Sequence, residues 1–160
     1  MEIIIKKIIC PLLFLALALC LYADENKREA KSPEELKNIF IEYHKSKNID
    51  GLISLFCVDN TPEEMNPGER RRKIFTEYIQ YEIKSIEIAD LSEEDKARYS
   101  KGAPYKGGTL YWINLEPLKK LSVTYNDPKG VRKLEEIIGK KGSIYLFCNP
   151  AFKNNMDKNP

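Results

Sequence analysis

One histidine, one tryptophan and four cysteines, of which Cys10 and Cys20 fall inside the first 20 residues, leave this 160-residue chain with few of the side chains that metal and nucleophile chemistry requires. No ligand pair of the CxxC or HxxxH kind is present, so a metal centre built from Cys57, Cys148 and His44 lacks a close-spaced anchor and none is expected. The chain also lacks a Gly-rich phosphate loop, a nucleophile elbow, a zinc-binding helix motif and any internal repeat, and no cofactor is expected. Neither sign of charge dominates. The 26 basic residues face 24 acidic ones, and leaving out Glu2, Lys6 and Lys7 of the leader described next brings the two nearly level. Such a balance provides no field for nucleic acid or for an anionic membrane surface.

What is present begins with a leader. Lys6 and Lys7 make a basic start, Ile8 to Leu21 is almost wholly apolar, and Leu21-Tyr22-Ala23 ends on a small residue suited to a signal peptidase. The expected organisation is a signal peptide at 1–23, a linker at 24–31, a single α+β domain at 32–152 and a flexible tail at 153–160. The length suffices for one domain with a real core and is short for two. Leu17-Ala18-Leu19-Cys20 is similar to a bacterial lipoprotein signal, in which Cys20 becomes the lipidated first residue. Leu19 stands where such signals carry a small residue, so cleavage after Ala23 is the first reading and lipidation the second. An uncleaved anchor is a third, because the apolar run is short for a span. The chain is expected to be exported, periplasmic or secreted, with lipid anchoring in the cell envelope as the alternative. It meets a membrane only through the leader or the lipid.

Cleavage after Ala23 leaves Cys57 and Cys148, an even pair in an oxidising compartment. The simplest reading is a disulfide, and two separately buried thiols are the alternative.

Ser32-Pro33-Glu34-Glu35 reads as a helix start, with Ser32 as cap, Pro33 in the first turn and Glu35 reaching back as capping-box partner. Leu36, Ile39, Phe40 and Tyr43 follow at i, i+3, i+4 and i+7, one apolar stripe. After a polar link, Asn48 caps a second helix whose Ile49, Leu52, Ile53 and Phe56 repeat that spacing, with Cys57 closing it. Thr61-Pro62-Glu63-Glu64 repeats the capping logic, and Ile74, Phe75, Tyr78 and Ile79 form a third stripe.

From Tyr81 the pattern changes to strand. Tyr81 and Ile83 occupy one alternation and Ile86 and Ile88 the other, so a bulge is expected near Ser85. Residues 90–106 are polar, with Ser92 capping a short helical patch that Gly102 ends. This reads as a surface excursion, or as a lid over a pocket. Thr109 to Leu115 and Leu118 to Tyr125 are expected as two neighbouring antiparallel strands, with Pro117 at a strand end because it cannot donate to a ladder. Asn126 to Gly130 is a turn. The segment 132–138 fits a short helix or a strand by periodicity, and strand is preferred because Ser143 to Cys148 needs a neighbour.

The order of these elements, together with the phrase KNIDGLISLFCVDN at 47–60, resembles the nuclear-transport-factor-like, or ketosteroid-isomerase-like, cone-fold superfamily. The resemblance implies helices packed on a curved antiparallel sheet of about four strands, a two-layer α+β arrangement. It also implies a cavity between sheet and helices. There, enzymes of the group place a buried carboxylate or histidine as base and a tyrosine or raised-pKa acid as donor to an oxyanion. A homodimer is compatible with it as well.

Few residues fit those roles. His44 and Asp59 are the catalytic candidates, although His44 borders an apolar stripe and Asp59 has a simpler explanation at a helix end. Tyr43, Tyr78, Trp112 and Tyr145 are the candidate pocket aromatics, with core filling as the plainer reading. Tyr111 and Trp112 must face opposite ways, so at most one of the two points inward. Arg70-Arg71-Arg72-Lys73 is dispersed around a helix and reads as a solvated face. The expected function is non-catalytic binding of a small ligand or of an envelope protein in the concave face. The alternatives are a small cofactor-independent isomerase or dehydratase and an envelope-anchored lipoprotein with a structural role.

Overall fold

The computed structural model describes residues 28–65, 67–104 and 110–151. The leader, with Cys20, and the tail from 152 onward lie outside the described residues. Helices α1 (Pro33–Lys45), α2 (Ile49–Ser54) and α3 (Pro67–Tyr78) come first, with a 3-10 turn at Glu63–Met65 before α3. Strand β1 (Glu82–Asp90) and helix α4 (Glu93–Lys101) follow. The remainder is strand: β2 (Ala103–Pro104), β3 (Leu110–Ile113), β4 (Pro117–Asp127), β5 (Gly130–Lys141), β6 (Ile144–Phe147) and β7 (Pro150–Ala151).

The helix starts at Ser32, Asn48 and Ser92 form as their chemistry predicts, whereas Thr61-Pro62-Glu63-Glu64 gives only the 3-10 turn and α3 begins later, at Pro67. Ser32 Oγ accepts from the Glu35 amide at 3.1 Å, and Glu35 reaches back to the amide of Lys31, one residue before the cap. Asn48 Oδ1 accepts from the Gly51 amide at 2.8 Å. A Cβ at Gly51 would lie 2.9 Å from the Tyr43 ring, so glycine lets α2 close onto α1. The second helix ends sooner than its apolar spacing suggests. Leu55 is its cap, and Phe56 runs extended in a parallel bridge with Phe147, so Cys57 lies beside the sheet and not on the helix.

Four strands form an antiparallel sheet in the order β1-β4-β5-β6. The expected bulge in β1 falls between Ile83 and Ser85, and the segment 132–138 is strand. Asp127 and Gly130 face each other across the β4–β5 turn, where Asp127 Oδ1 accepts from the Lys129 amide at 2.9 Å. Helices α1 to α3 cover one face of this sheet, burying Leu36, Phe40, Leu52, Phe75, Tyr125 and Phe147 among others. Ala30, ahead of α1, is buried and bridges Tyr145, which ties the incoming chain to β6.

The described part of the segment expected as a strand at 109–115, residues 110–115, does not pair with β4. Strand β3 joins β2 and β7 in a second, three-stranded sheet, while β4 lies between β1 and β5. The reason is the residue between them. Asn114 exchanges bonds with Asn149, its amide N–H donating to the Asn149 carbonyl at 2.9 Å and its Oδ1 accepting from the Asn149 amide at 2.8 Å. Its side-chain amide also donates to the carbonyls of Cys57 and Asp59, at 2.7 and 2.9 Å. The end of β3 is thereby held to the C-terminal segment, and the chain crosses to the main sheet at Pro117. A smaller core of Leu91, Ile137 and Cys148, with Tyr99, Ile113 and Leu115 against it, fills the space between the sheet and this second layer.

Candidate functional site

Strand β6 pairs with β5 only over Ile138–Lys141, so the earlier half of β5 is an edge of the main sheet. A cleft of about 360 Å³ opens along that edge. Helix α3 forms one wall with Pro67, Arg70, Arg71 and Ile74, which fall at i, i+3, i+4 and i+7 and so share a face. Helix α4 forms the opposite wall with Asp95, Arg98 and Tyr99, again i, i+3 and i+4. Tyr111 and Ile113, two apart on β3, point in together. Because the cleft wraps the edge of β5, it takes residues from both of that strand's faces, Leu134 and Glu136 on one and Glu135 and Ile137 on the other.

Its floor is a buried ion pair. Arg71 Nη1 donates to Glu136 Oε1 at 2.5 Å, with side-chain exposures of 15% and 6%. The Arg71 guanidinium lies 4.0 Å above the Phe56 ring and its Nε faces Asn149 Oδ1 at 3.4 Å, so stacking and a second acceptor fix its plane. Asn149 is itself fully buried and donates to the Cys57 carbonyl at 2.8 Å. Burial pushes the Glu136 carboxyl up to about 7, although the Arg71 guanidinium beside it pulls the other way. On the far side Lys120 Nζ lies 2.9 Å from Asp95 and 4.0 Å from Glu135. The hydrogen bond to Lys120 holds Asp95 below its ordinary range, and burial raises the Tyr99 phenol.

The residues singled out from sequence lie elsewhere. His44 is buried in the main core, stacked on Phe40 with its ring 5.4 Å from that of Tyr125, and its Nε2 faces the Tyr78 carbonyl at 3.4 Å. Burial lowers its pKa. Asp59 pairs with Lys141 beside a separate cavity of about 470 Å³. Tyr43 belongs to the core, and Tyr78 and Tyr145 pack on its margin, the latter under Lys140. Trp112 sits against Gly102, whose φ of 77° and lack of a Cβ leave room for the indole. Of the pair on β3 it is Tyr111 that lines the cleft. Cys57 and Cys148 are both buried thiols, and Cys148, driven up to about 12 by burial, lines the cleft's inner end.

The basic run does not form a solvated face throughout, because Arg71 turns inward to Glu136, and two patterns in the sequence could have found this cleft. The spacing 67, 70, 71, 74 selects Arg70 and Arg71 from the basic run, while Arg72 turns to Asp50 at 2.5 Å. In Leu134-Glu135-Glu136-Ile137-Ile138, strict alternation sends one glutamate inward. Comparison with protein-family models, with curated proteins and with solved structures finds no match.

Proposed function

We propose that this chain is an exported binding domain that holds a small ligand in the cleft between α3, α4 and the edge of β5, without turning it over. The observation that carries this reading is the Arg71–Glu136 floor. A rigid, buried charge pair at the base of a cleft whose walls mix apolar and polar side chains suits a site that fixes a ligand's orientation through a few polar groups. The cleft's size falls in the range of small-molecule sites. Helices against an antiparallel sheet agree with the cone-fold superfamily at the level of α+β architecture, and membership of that superfamily belongs to this proposal. So does export: cleavage after Ala23 releases the domain to the periplasm or medium, whereas lipidation at Cys20 tethers it in the envelope.

Native and denaturing mass spectrometry of the chain purified from its own cells tests the reading. Added mass that is lost on denaturation is expected, as is a mature start at Asp24. No added mass from either the soluble or the membrane fraction, and no ligand-dependent NMR shift around Tyr111 and Glu136, would overturn it. A start at a lipid-bearing Cys20 would move the anchored, structural role to first place.

One observation favours a second reading, a small cofactor-independent isomerase or dehydratase. Glu136 is a carboxyl poised near neutrality in the same cleft as Tyr99 and Tyr111, the pairing of base and phenolic donor that such chemistry uses. Turnover that disappears in Glu136→Gln while ligand binding persists would establish it in place of the binding role.

A further inference from the structure

Resting on the binding reading above, the charges of the cleft specify what kind of molecule it takes. Every carboxylate that lines it is already paired inside it: Glu136 with Arg71, and Asp95 and Glu135 with Lys120. Two guanidinium groups are left over. Arg70 on α3 and Arg98 on α4 stand on opposite walls, both exposed, and neither pairs with a carboxylate among the described residues. The rest of the lining includes an apolar set, Ile74, Leu134, Ile113 and Ile137, beside the paired charges.

We propose that the ligand is a small amphiphilic oxyanion, its carboxylate or phosphate held between Arg70 and Arg98 and its apolar body laid against Ile74, Ile113 and Ile137. Guanidinium is the group suited to this, since its planar fork matches both oxyanions. The paired lysine and the buried Arg71 are committed elsewhere, so the two rim arginines carry the selectivity for charge. Neutral analogues of the same shape keep the apolar contacts and lose the clamp.

Calorimetric titration of the full chain with octanoate, octyl phosphate, octanamide and inorganic phosphate tests this. The expected result is binding of octanoate or octyl phosphate at least about tenfold tighter than octanamide, the factor that one charge-assisted hydrogen bond is worth. The tighter of the two anions names the source. Arg70→Gln with Arg98→Gln, both at exposed positions, should bring the anion down to the affinity of the amide. Lys73→Gln, which removes the same charge from an outward position of α3, should change nothing. Equal binding of octanamide and octanoate overturns the clamp while leaving a binding cleft in place. So does anion binding that survives in the double variant. Inorganic phosphate binding as tightly as octyl phosphate overturns the apolar half. Binding of none of the four overturns the proposal, and the ligand mass carried by the native protein then decides the binding reading separately.

Discussion

Arg71 donates to Glu136 at 2.5 Å in a position where both side chains are nearly closed to water, joining the third helix to the edge of the sheet. Breaking such a pair by removing one partner is costly because the other charge stays buried, on the order of 3–5 kcal/mol. Replacing the carboxylate by its amide keeps a neutral acceptor for Arg71 and removes both the negative charge and the titration.

The first prediction follows from that difference. The folded pKa of Glu136, about 7, lies above its ordinary 4.5, so between those values the folded state holds a proton that the unfolded chain has lost. Stability from this group is therefore complete below about 4.5 and declines as pH rises towards 7. Urea melts of the wild type and Glu136→Gln between pH 5 and 7.5 should diverge, the wild type losing about 1–3 kcal/mol relative to the variant. A constant difference would mean that Arg71 keeps the carboxylate ionised throughout.

His44 carries the opposite slope. Burial lowers its pKa below the ordinary 6.5, so below that value the unfolded chain binds a proton that the folded chain refuses. Its contribution is present above 6.5 and lost on acidification. As the single histidine, it should give one imidazole signal by NMR that titrates below 6.5 in the folded protein, and His44→Gln should flatten the acid limb of the stability profile. A signal titrating above 6.5 would contradict the buried placement.

Tyr125 is fully buried, and its hydroxyl has no hydrogen-bond partner among the described residues. Its ring packs between Tyr78, at 5.1 Å, and His44, at 5.4 Å, and burial holds the phenol well above its ordinary pKa. Tyr125→Phe keeps the ring contacts and removes the stranded hydroxyl, so thermal melts should show a gain of about 1 kcal/mol. A loss of that size would reveal a bonded hydroxyl.

The parallel bridge between Phe56 and Phe147 makes Cys57 and Cys148 the next residues along adjoining segments, both buried. As thiols they should resist alkylation in the folded state, because burial raises both pKa values and closes access. Protein recovered from an oxidising compartment is expected to be two hydrogens lighter than the reduced chain and to lose about 4 kcal/mol on reduction, the chain-entropy figure for so long a loop. Equal masses before and after reduction would leave two separate thiols.

Much of the secondary structure was legible because its causes are local. Ser32, Asn48 and Ser92 cap the helices that begin after them, and Gly102 ends the last one, since each acts on amides or backbone angles within a few residues. The phase change at Ser85 marked the bulge, and the strand at 132–138 followed from the neighbour it had to serve. The partner of β3 was not legible. It depends on Asn114 meeting Cys57 and Asp59 on one side and Asn149 on the other, and no local pattern announces an asparagine that will bond two distant segments.

The cleft divides the same way. Which residues share a face of α3 or of β5 is a matter of helical and strand period, so the spacing that groups Arg70 with Arg71 was open to reading, although the run reads first as a solvated face. Whether a face is buried, and against what, is a matter of packing. His44, Tyr43 and Tyr78 sit on correctly recognised stripes but pack into or against the core that α1 to α3 form over the sheet. Arg71 and Glu136 became a site only when β6 ended four residues after it began and left the edge of β5 for two helices to enclose. Periodicity decides which side chains travel together, and burial and the charge pairing of Arg71 with Glu136, which arise between distant segments, decide what they can do.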